Sequence, residues 1–341
     1  MKYINLVPTL LVETTPECNL QCKYCYRKNN EIIKDHINET RIIKLIMGIK
    51  NFQNEVKEKE CLVIFFGGEP LLGFNLIDKI TGEFKSNKIR FGIQTNGTLL
   101  NRQIISFLKE RNIMLSISYD GLPIINDANR IFPNGRGSSE IIINKIRLLV
   151  KEEMEFGVLS IVNSMSVKNT KNILDHICSL GIKNISFLPL HSVSNCITGK
   201  EYAIFLLDCL SWLKNNSERK LIIRELKAWA YNLFLSSPYL CGAGLQCPAT
   251  RSLLYLDANG KIWACPERKM KTLLRMELKS SKISYQRKCL NCRFKLTCKM
   301  GCPVRFNGNY CEFIEIFVPN FLSIVKNDEK LIHLLLGVDN E

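Results

Sequence analysis

Apolar and polar positions follow two rhythms along the first half of this chain. Alternating or continuous apolar runs predict strands at Thr9–Glu13, Cys61–Phe66, Ile89–Thr95, Ile113–Tyr119, Glu155–Val162 and Asn184–Pro189. Between them lie stretches with helical spacing. Glu39–Phe52 carries Ile42, Ile43, Leu45, Ile46 and Ile49 on helical intervals, and Leu99–Arg111, Ser138–Glu153 and Val167–Leu180 follow the same rule. Strand–helix units in series imply a parallel sheet with helices outside it. Six such units are too few for a closed eight-unit barrel. The expected fold class is therefore α/β, a partial (β/α)6 TIM-like barrel over residues 1–199.

The rhythm then changes. Residues 200–240 read as helix without strand signal, and form an expected helical bridge. From residue 241 to 318 glycines, prolines and cysteines dominate, which predicts a small loop-rich unit held by metal. The stretch 319–341, with Phe321–Val325 and Leu331–Leu336, predicts a closing helix. No run of 18 apolar residues occurs, and the first residues lack a signal-peptide pattern, so the expectation is a cytoplasmic protein with no membrane partner.

The chain has 15 cysteines among 341 residues. A disulfide framework and a metal protein compete for that count, and size with the missing signal peptide favours metal. Cys18, Cys22 and Cys25 stand as C-x3-C-x2-C directly after the first strand, where α/β barrels place their active sites. Three thiolates on one loop can hold three irons of a cubane and leave a fourth iron open; a zinc site is the alternative from spacing alone. Further on come Gly67–Pro70 (GGEP) after strand two, the turn QTNGT with Asn96 after strand three, and SISYDG with Ser118 and Asp120 after strand four, followed by Arg130.

With Tyr24 before its third cysteine, this arrangement resembles the radical S-adenosylmethionine (radical SAM) superfamily. The resemblance implies that the open iron binds the amino and carboxylate groups of S-adenosyl-L-methionine. It implies that Tyr24 packs near the adenine, and that Gly67, Gly68 and Glu69 hold the methionine amino group. It also implies that Asn96 and Asp120 belong to the cofactor-binding turns, and that Ser118 and Arg130 contact ribose and carboxylate. By the same resemblance Leu188 would supply an apolar wall for the adenine, and His191, after the sixth strand, is the one histidine expected near the pocket.

The later cysteines are Cys241, Cys247, Cys265, Cys289, Cys292, Cys298, Cys302 and Cys311, and their spacing resembles the SPASM domain with two fully ligated auxiliary clusters. Two zinc sites on the same eight ligands are the alternative from spacing alone. The resemblance implies that Cys241, Cys247, Cys265 and Cys302 hold the inner cluster, and that Cys289, Cys292, Cys298 and Cys311 hold the outer one. Three 4Fe–4S clusters in all are expected. Cys61, Cys178, Cys196 and Cys209 read as buried thiols.

The formal charge is +15. Three oxidised clusters would lower it to about +10, and the remaining lysines are scattered without an aromatic-interleaved basic block. Nucleic acid is therefore not the expected partner, and a polar or acidic peptide suits the surface as well.

The resemblance implies hydrogen-atom abstraction through a 5′-deoxyadenosyl radical, fed by a flavodoxin- or ferredoxin-type electron donor. The expected function is oxidation or cross-linking of a ribosomally made precursor peptide. The alternatives are an anaerobic sulfatase-maturing (formylglycine-generating) enzyme and an enzyme of small-cofactor or haem biosynthesis. Against the first alternative, Pro266 and Glu267 follow Cys265 where that group carries an Asp base. No residue stands out as the catalytic base.

Overall fold

Parallel pairing organises the chain from its first strand. In the computed structural model, which describes residues 7–29, 38–57, 59–84, 88–191, 196–236, 247–249, 252–266, 289, 291–298 and 310–337, six strands follow in series. They are β1 (Thr9–Glu13), β2 (Cys61–Phe66), β3 (Ile89–Thr95), β4 (Met114–Ser118), β5 (Phe156–Val162) and β6 (Asn184–Pro189). Each pairs in parallel with the next.

Helices cross over between them: α1 (Glu39–Glu55), α2 (Phe74–Glu83), α3 (Arg102–Glu110), α4 (Pro123–Asn129), α5 (Ser139–Lys151), α6 (Ser164–Val167) and α7 (Thr170–Ser179). Asn38 caps α1 by accepting from Arg41 N, and Asn101 caps α3 by accepting from Ile104 N. The helix expected at Val167–Leu180 is α7, which starts three residues later at Thr170 and ends on Leu180 as its C-cap, and a one-turn α6 opened by a capping box at Asn163 precedes it.

Three strands depart from the expected six. The bridge region holds α8 (Gly199–Asn215) and α9 (Arg224–Leu235), but also β7 (Ile222–Ile223), which pairs in parallel with β6. Beyond the other edge, β8 (Leu253–Leu256) pairs in parallel with β1 and turns back antiparallel as β9 (Ile262–Trp263). The result is one nine-stranded open sheet in the order β7-β6-β5-β4-β3-β2-β1-β8-β9. The cysteine-rich unit thus begins as a continuation of the barrel sheet.

The remaining described helices are the single turn α10 (Lys295–Cys298), α11 (Tyr310–Val325) and α12 (Glu329–Leu336). The closing helix expected from residue 319 is therefore two helices, and the first runs through Pro319. Tyr202 on α8 and Trp229 on α9 stack on Phe313 of α11, with ring centroids 5.4 and 5.9 Å apart. That aromatic packing lays α11 across the bridge helices.

Side-chain parity separates the two faces of the sheet. Leu10, Val12, Val63 and Phe65 are fully buried and join the core with Leu45, Ile49 and Phe52 of α1. Each aliphatic side chain so buried stabilises the fold by roughly 1.5–3 kcal/mol. Ile43, expected on that face, is 54% exposed, because α1 turns it to solvent. The opposite parity, Leu11 and Glu13 on β1, Ile64 and Phe66 on β2, Ser116 and Ser118 on β4, and Tyr255 on β8, lines the barrel interior. The polar members of that row lie toward the C-terminal strand ends, where the loops carrying the sequence motifs also converge.

Candidate active site

The cysteine loop leaves β1 and is clamped on both flanks. Gln21 N donates to Ile131 O at 2.7 Å, and Lys23 N to Asn129 O at 2.9 Å, so the loop lies against the chain that follows α4. On its other flank, Gly68 N donates to Thr15 O at 2.8 Å and Glu69 N to Glu17 O at 2.7 Å.

These contacts explain the two glycines after β2. A Cβ on Gly68 would stand 1.9 Å from Glu17 O, and Gly67 holds φ +148° with Thr15 O 2.4 Å from its would-be Cβ. The backbone that both glycines admit in this structure is that of the cysteine loop itself.

Glu69 is likewise turned inward. It is wholly buried, and its carboxylate accepts from Leu71 N at 3.0 Å, Thr95 Oγ1 at 2.6 Å and Asn96 N at 2.8 Å. Burial raises its pKa, and the three donors oppose that rise. Glu69 joins the loops after β2 and β3 through these three bonds.

Asn96 completes that join. Its Nδ2 donates to Asn19 Oδ1 at 2.8 Å and lies 3.9 Å from Cys18 Sγ, while its Oδ1 accepts from Thr98 N at 3.0 Å. Asn19 in turn donates to Thr98 Oγ1 at 2.9 Å. Leu20 N donates to Cys18 Sγ at 3.4 Å. Sequence reading missed Asn19, Thr95 and Thr98; the position of Asn19, beside the first cysteine, was the available signal.

Cys18 is exposed, and Cys22 and Cys25 are half-buried. Desolvation pushes the Cys18 thiol up to about 12 and raises that of Cys22, where Arg130 opposes the rise. Thiols held in this state ionise when a cation replaces the proton. Among the described residues no three His, Cys, Asp or Glu side chains converge to hold one metal ion. The fit to an iron–sulfur cluster rests on donor chemistry: three thiols on one clamped loop, with two N–H donors aimed at the first sulfur.

On the far wall, Asp120 is fully buried. Its Oδ2 accepts the Tyr24 hydroxyl, its Oδ1 accepts Ile161 N at 3.0 Å, and Arg130 Nε lies 3.1 Å from Oδ1. Asn126 Oδ1 accepts the Asp120 amide at 3.3 Å, and Arg130 N donates to Asn126 O at 2.6 Å.

The Arg130 guanidinium sits 5.4 Å from the Tyr24 ring centroid. Burial alone would lower its pKa, but Asp120 together with Tyr24 and Cys22 raises it, and the group stays charged. Burial likewise raises the Tyr24 hydroxyl pKa well above its ordinary value. Arg130 Nε is buried without an aligned hydrogen bond. A buried guanidinium beside the cysteine loop fits a carboxylate-bearing cofactor.

Ser118 and Leu188 are both buried on strands of the same interior. His191, just past β6, is half-buried. Asp120 holds Tyr24 and Arg130 in position.

A second polar group flanks the loop. Glu13, the last residue of β1, pairs with Arg27 and accepts the Tyr255 hydroxyl. None of these three was anticipated. The signal was a single carboxylate ending the otherwise apolar TLLVE strand.

The later cysteines fall in two places. Cys247 and Cys265 flank the β8–β9 hairpin and are half-buried. Cys289 and Cys292 share a turn, with Cys292 N 3.4 Å from Cys289 O, and α10 then ends on Cys298. Tyr310, beside Cys311 at the start of α11, donates to Cys298 O at 3.2 Å. Cys241 and Cys302 lie outside the described residues. Of the four remaining cysteines, Cys61 and Cys209 are buried and Cys178 is half-buried. Cys196 is exposed, because it stands in a loop after β6, contrary to expectation.

Comparison with known proteins agrees with this geometry. Residues 12–177 match the Radical SAM superfamily model. An uncharacterized protein, MJ0907 of Methanocaldococcus jannaschii, is 35% identical over 184 residues, which span 52% of this chain and 61% of that protein. The cysteine-type anaerobic sulfatase-maturating enzyme of Clostridium novyi is 25% identical over 360 residues, spanning 92% of this chain and 95% of the relative. The solved structure of native anSMEcpe with bound AdoMet and Kp18Cys peptide superposes with a TM-score of 0.78 at 20% identity. It covers 94% of this chain and 99% of that one, which shows the shared fold.

Proposed function

The chain belongs to the radical SAM superfamily through residues 12–177, and from that premise we propose that it oxidises a ribosomally made peptide and installs a cross-link in it. The family is one of enzymes that use a 4Fe–4S cluster and S-adenosylmethionine. When bound, these supply a 5′-deoxyadenosyl radical that takes a hydrogen atom from an unactivated carbon.

This chain's residues divide the remaining work. Cys18, Cys22 and Cys25 would hold the catalytic cluster, on a loop fixed by Gly68, Glu69 and Asn96. Tyr24, locked by Asp120, and Leu188 offer apolar surface to the adenine, while Ser118 and Arg130 offer polar contacts to the cofactor. Cys241, Cys247, Cys265, Cys289, Cys292, Cys298, Cys302 and Cys311 would hold two auxiliary clusters that accept the substrate's electron. A flavodoxin- or ferredoxin-type protein would supply the first electron.

The observation that carries the peptide cross-link is Pro266. It follows Cys265 directly and brings no proton acceptor to the position where sulfatase-maturing enzymes hold an Asp. A cross-link forms by loss of one hydrogen atom, passage of one electron to an auxiliary cluster and release of one proton from the neighbouring side chain. That proton can leave to solvent or to an acceptor at another position than the one after Cys265. Formylglycine formation is the second reading, favoured by similarity to a sulfatase-maturating enzyme along 92% of this chain.

Co-expression with each small neighbouring reading frame, followed by mass spectrometry, separates the two. A cross-linked peptide is two hydrogens lighter per link and resists fragmentation between the linked residues. A co-expressed sulfatase carrying formylglycine would establish the second reading instead.

A further inference from the structure

Glu13 and Arg27 stand at the two ends of the segment that carries all three loop cysteines. Glu13 lies five residues before Cys18, and Arg27 two residues after Cys25. Their side chains pair directly, with only 6% and 13% of their surface exposed. The ion pair therefore closes the base of the cysteine loop.

Glu13 has two further donors, both from the cysteine-rich unit. The Tyr255 hydroxyl donates to Glu13 Oε2, and Ala258 N lies 3.4 Å from the same oxygen. Tyr255 is 2% exposed and meets Phe66 edge-on at 5.5 Å. Arg27 also lies against Tyr255, whose pKa burial raises and Arg27 opposes. The group is thus built from the end of β1, the exit of the cysteine loop, and the strand that leads by one hairpin to Cys265.

We propose that Glu13 and Arg27, fixed by Tyr255, are positioning residues that set the reduction potential of the catalytic cluster by placing two opposed, nearly buried charges at the base of its loop. The inference rests on the radical SAM reading of the loop. Cluster potentials follow local charge and hydrogen bonding, and charges out of solvent are weakly screened. Removing the positive charge leaves Glu13 uncompensated and makes the cluster harder to reduce. Removing the negative charge leaves Arg27 uncompensated and makes it easier. A purely structural clip gives no reason for opposite signs.

The test uses anaerobically reconstituted full-length protein. The catalytic cluster is followed by the part of the electron paramagnetic resonance signal that S-adenosylmethionine changes, during a redox titration. Arg27→Met should lower its midpoint potential and Glu13→Gln should raise it. The double variant should return toward wild type, and Arg27→Lys should lie nearer wild type than Arg27→Met.

Shifts of the same sign in both single variants, or none, overturn the inference and leave the family reading intact. A wild-type protein with no signal responsive to S-adenosylmethionine overturns both. Where the charge variants fail to load iron, Tyr255→Phe carries the test, since it removes a donor to Glu13 without changing charge. A smaller shift in the direction of Arg27→Met supports the proposal, and an unchanged potential overturns it.

Discussion

Arg130 Nε lies 3.1 Å from Asp120 Oδ1, with 8% and 0% of the two side chains exposed. Asp120 also holds the Tyr24 hydroxyl, so one carboxylate orients both a cation and an aromatic ring on the wall facing the cysteine loop. Asp120→Ala removes the counter-charge and leaves Arg130 buried and unpaired. Breaking such a pair from one side costs about 3–5 kcal/mol. The expected outcome is a lower unfolding temperature together with weaker anaerobic binding of S-adenosylmethionine. Arg130→Ala should weaken binding at least tenfold, the loss of one charge-assisted hydrogen bond worth about 1.5–3 kcal/mol. Equilibrium binding to the reconstituted variants checks both. Unchanged affinity in each would place the cofactor elsewhere.

Gly68→Ala tests the clamp on the cysteine loop. Its Cβ would stand 1.9 Å from a backbone oxygen, so the two loops must part. The barrel core lies elsewhere, in the residues between the sheet and the outer helices. Far-ultraviolet circular dichroism should therefore stay close to wild type, while iron bound by the N-terminal loop and cleavage of S-adenosylmethionine fall together. A variant with full iron and full cleavage would show that the approach of Gly68 to Glu17 is dispensable.

Glu225 gives a pH prediction away from the site. It is fully buried on α9, and accepts from Ser186 Oγ at 2.6 Å and Phe187 N at 2.8 Å, which fastens the bridge to β6. Burial raises its pKa, partly opposed by Arg224 and by these bonds. The folded state then holds this proton to higher pH than the unfolded state does. Its contribution to stability is full below the ordinary value of 4.5 and is lost as pH rises through the raised folded value. Glu225→Gln should flatten that decline in urea-unfolding free energy between mildly acidic and neutral pH. An identical slope in wild type and variant would remove Glu225 as its source.

The strands that build the barrel were legible because each carries its own apolar run: β1, β2, β3 and β6 have the bounds read from sequence. Ile222–Ile223 and Ile262–Trp263 are too short to show any period, and each is a strand only because a neighbour supplies hydrogen bonds. At the site, the cysteines, Tyr24 and Arg130 were visible through spacing and resemblance. The inward roles of Glu69 and Asp120 were not, since their partners Asn96 and Ile161 stand 27 and 41 residues away. A carboxylate in a motif gives no sign of such distant donors, which only the fold brings to it.

The iron content separates the cluster reading from zinc. Cys18, Cys22 and Cys25 share one loop, while Cys247 and Cys265 flank the β8–β9 hairpin, Cys289 and Cys292 share a turn, and Cys298 and Cys311 stand on α10 and α11. No element is common to the two sets, so removing the first should leave the second able to bind. Anaerobic reconstitution should give about twelve irons per chain from three cubanes, and the Cys18→Ala, Cys22→Ala, Cys25→Ala variant about eight, with cleavage of S-adenosylmethionine abolished. Iron and zinc analysis with the visible absorption spectrum decides the matter. Stoichiometric zinc without iron–sulfur absorption would sink the cluster assignment. Loss of all iron in the triple variant would instead mean that the later clusters form only once the first is in place, through the Glu13, Arg27 and Tyr255 contact that joins the cysteine loop to β8.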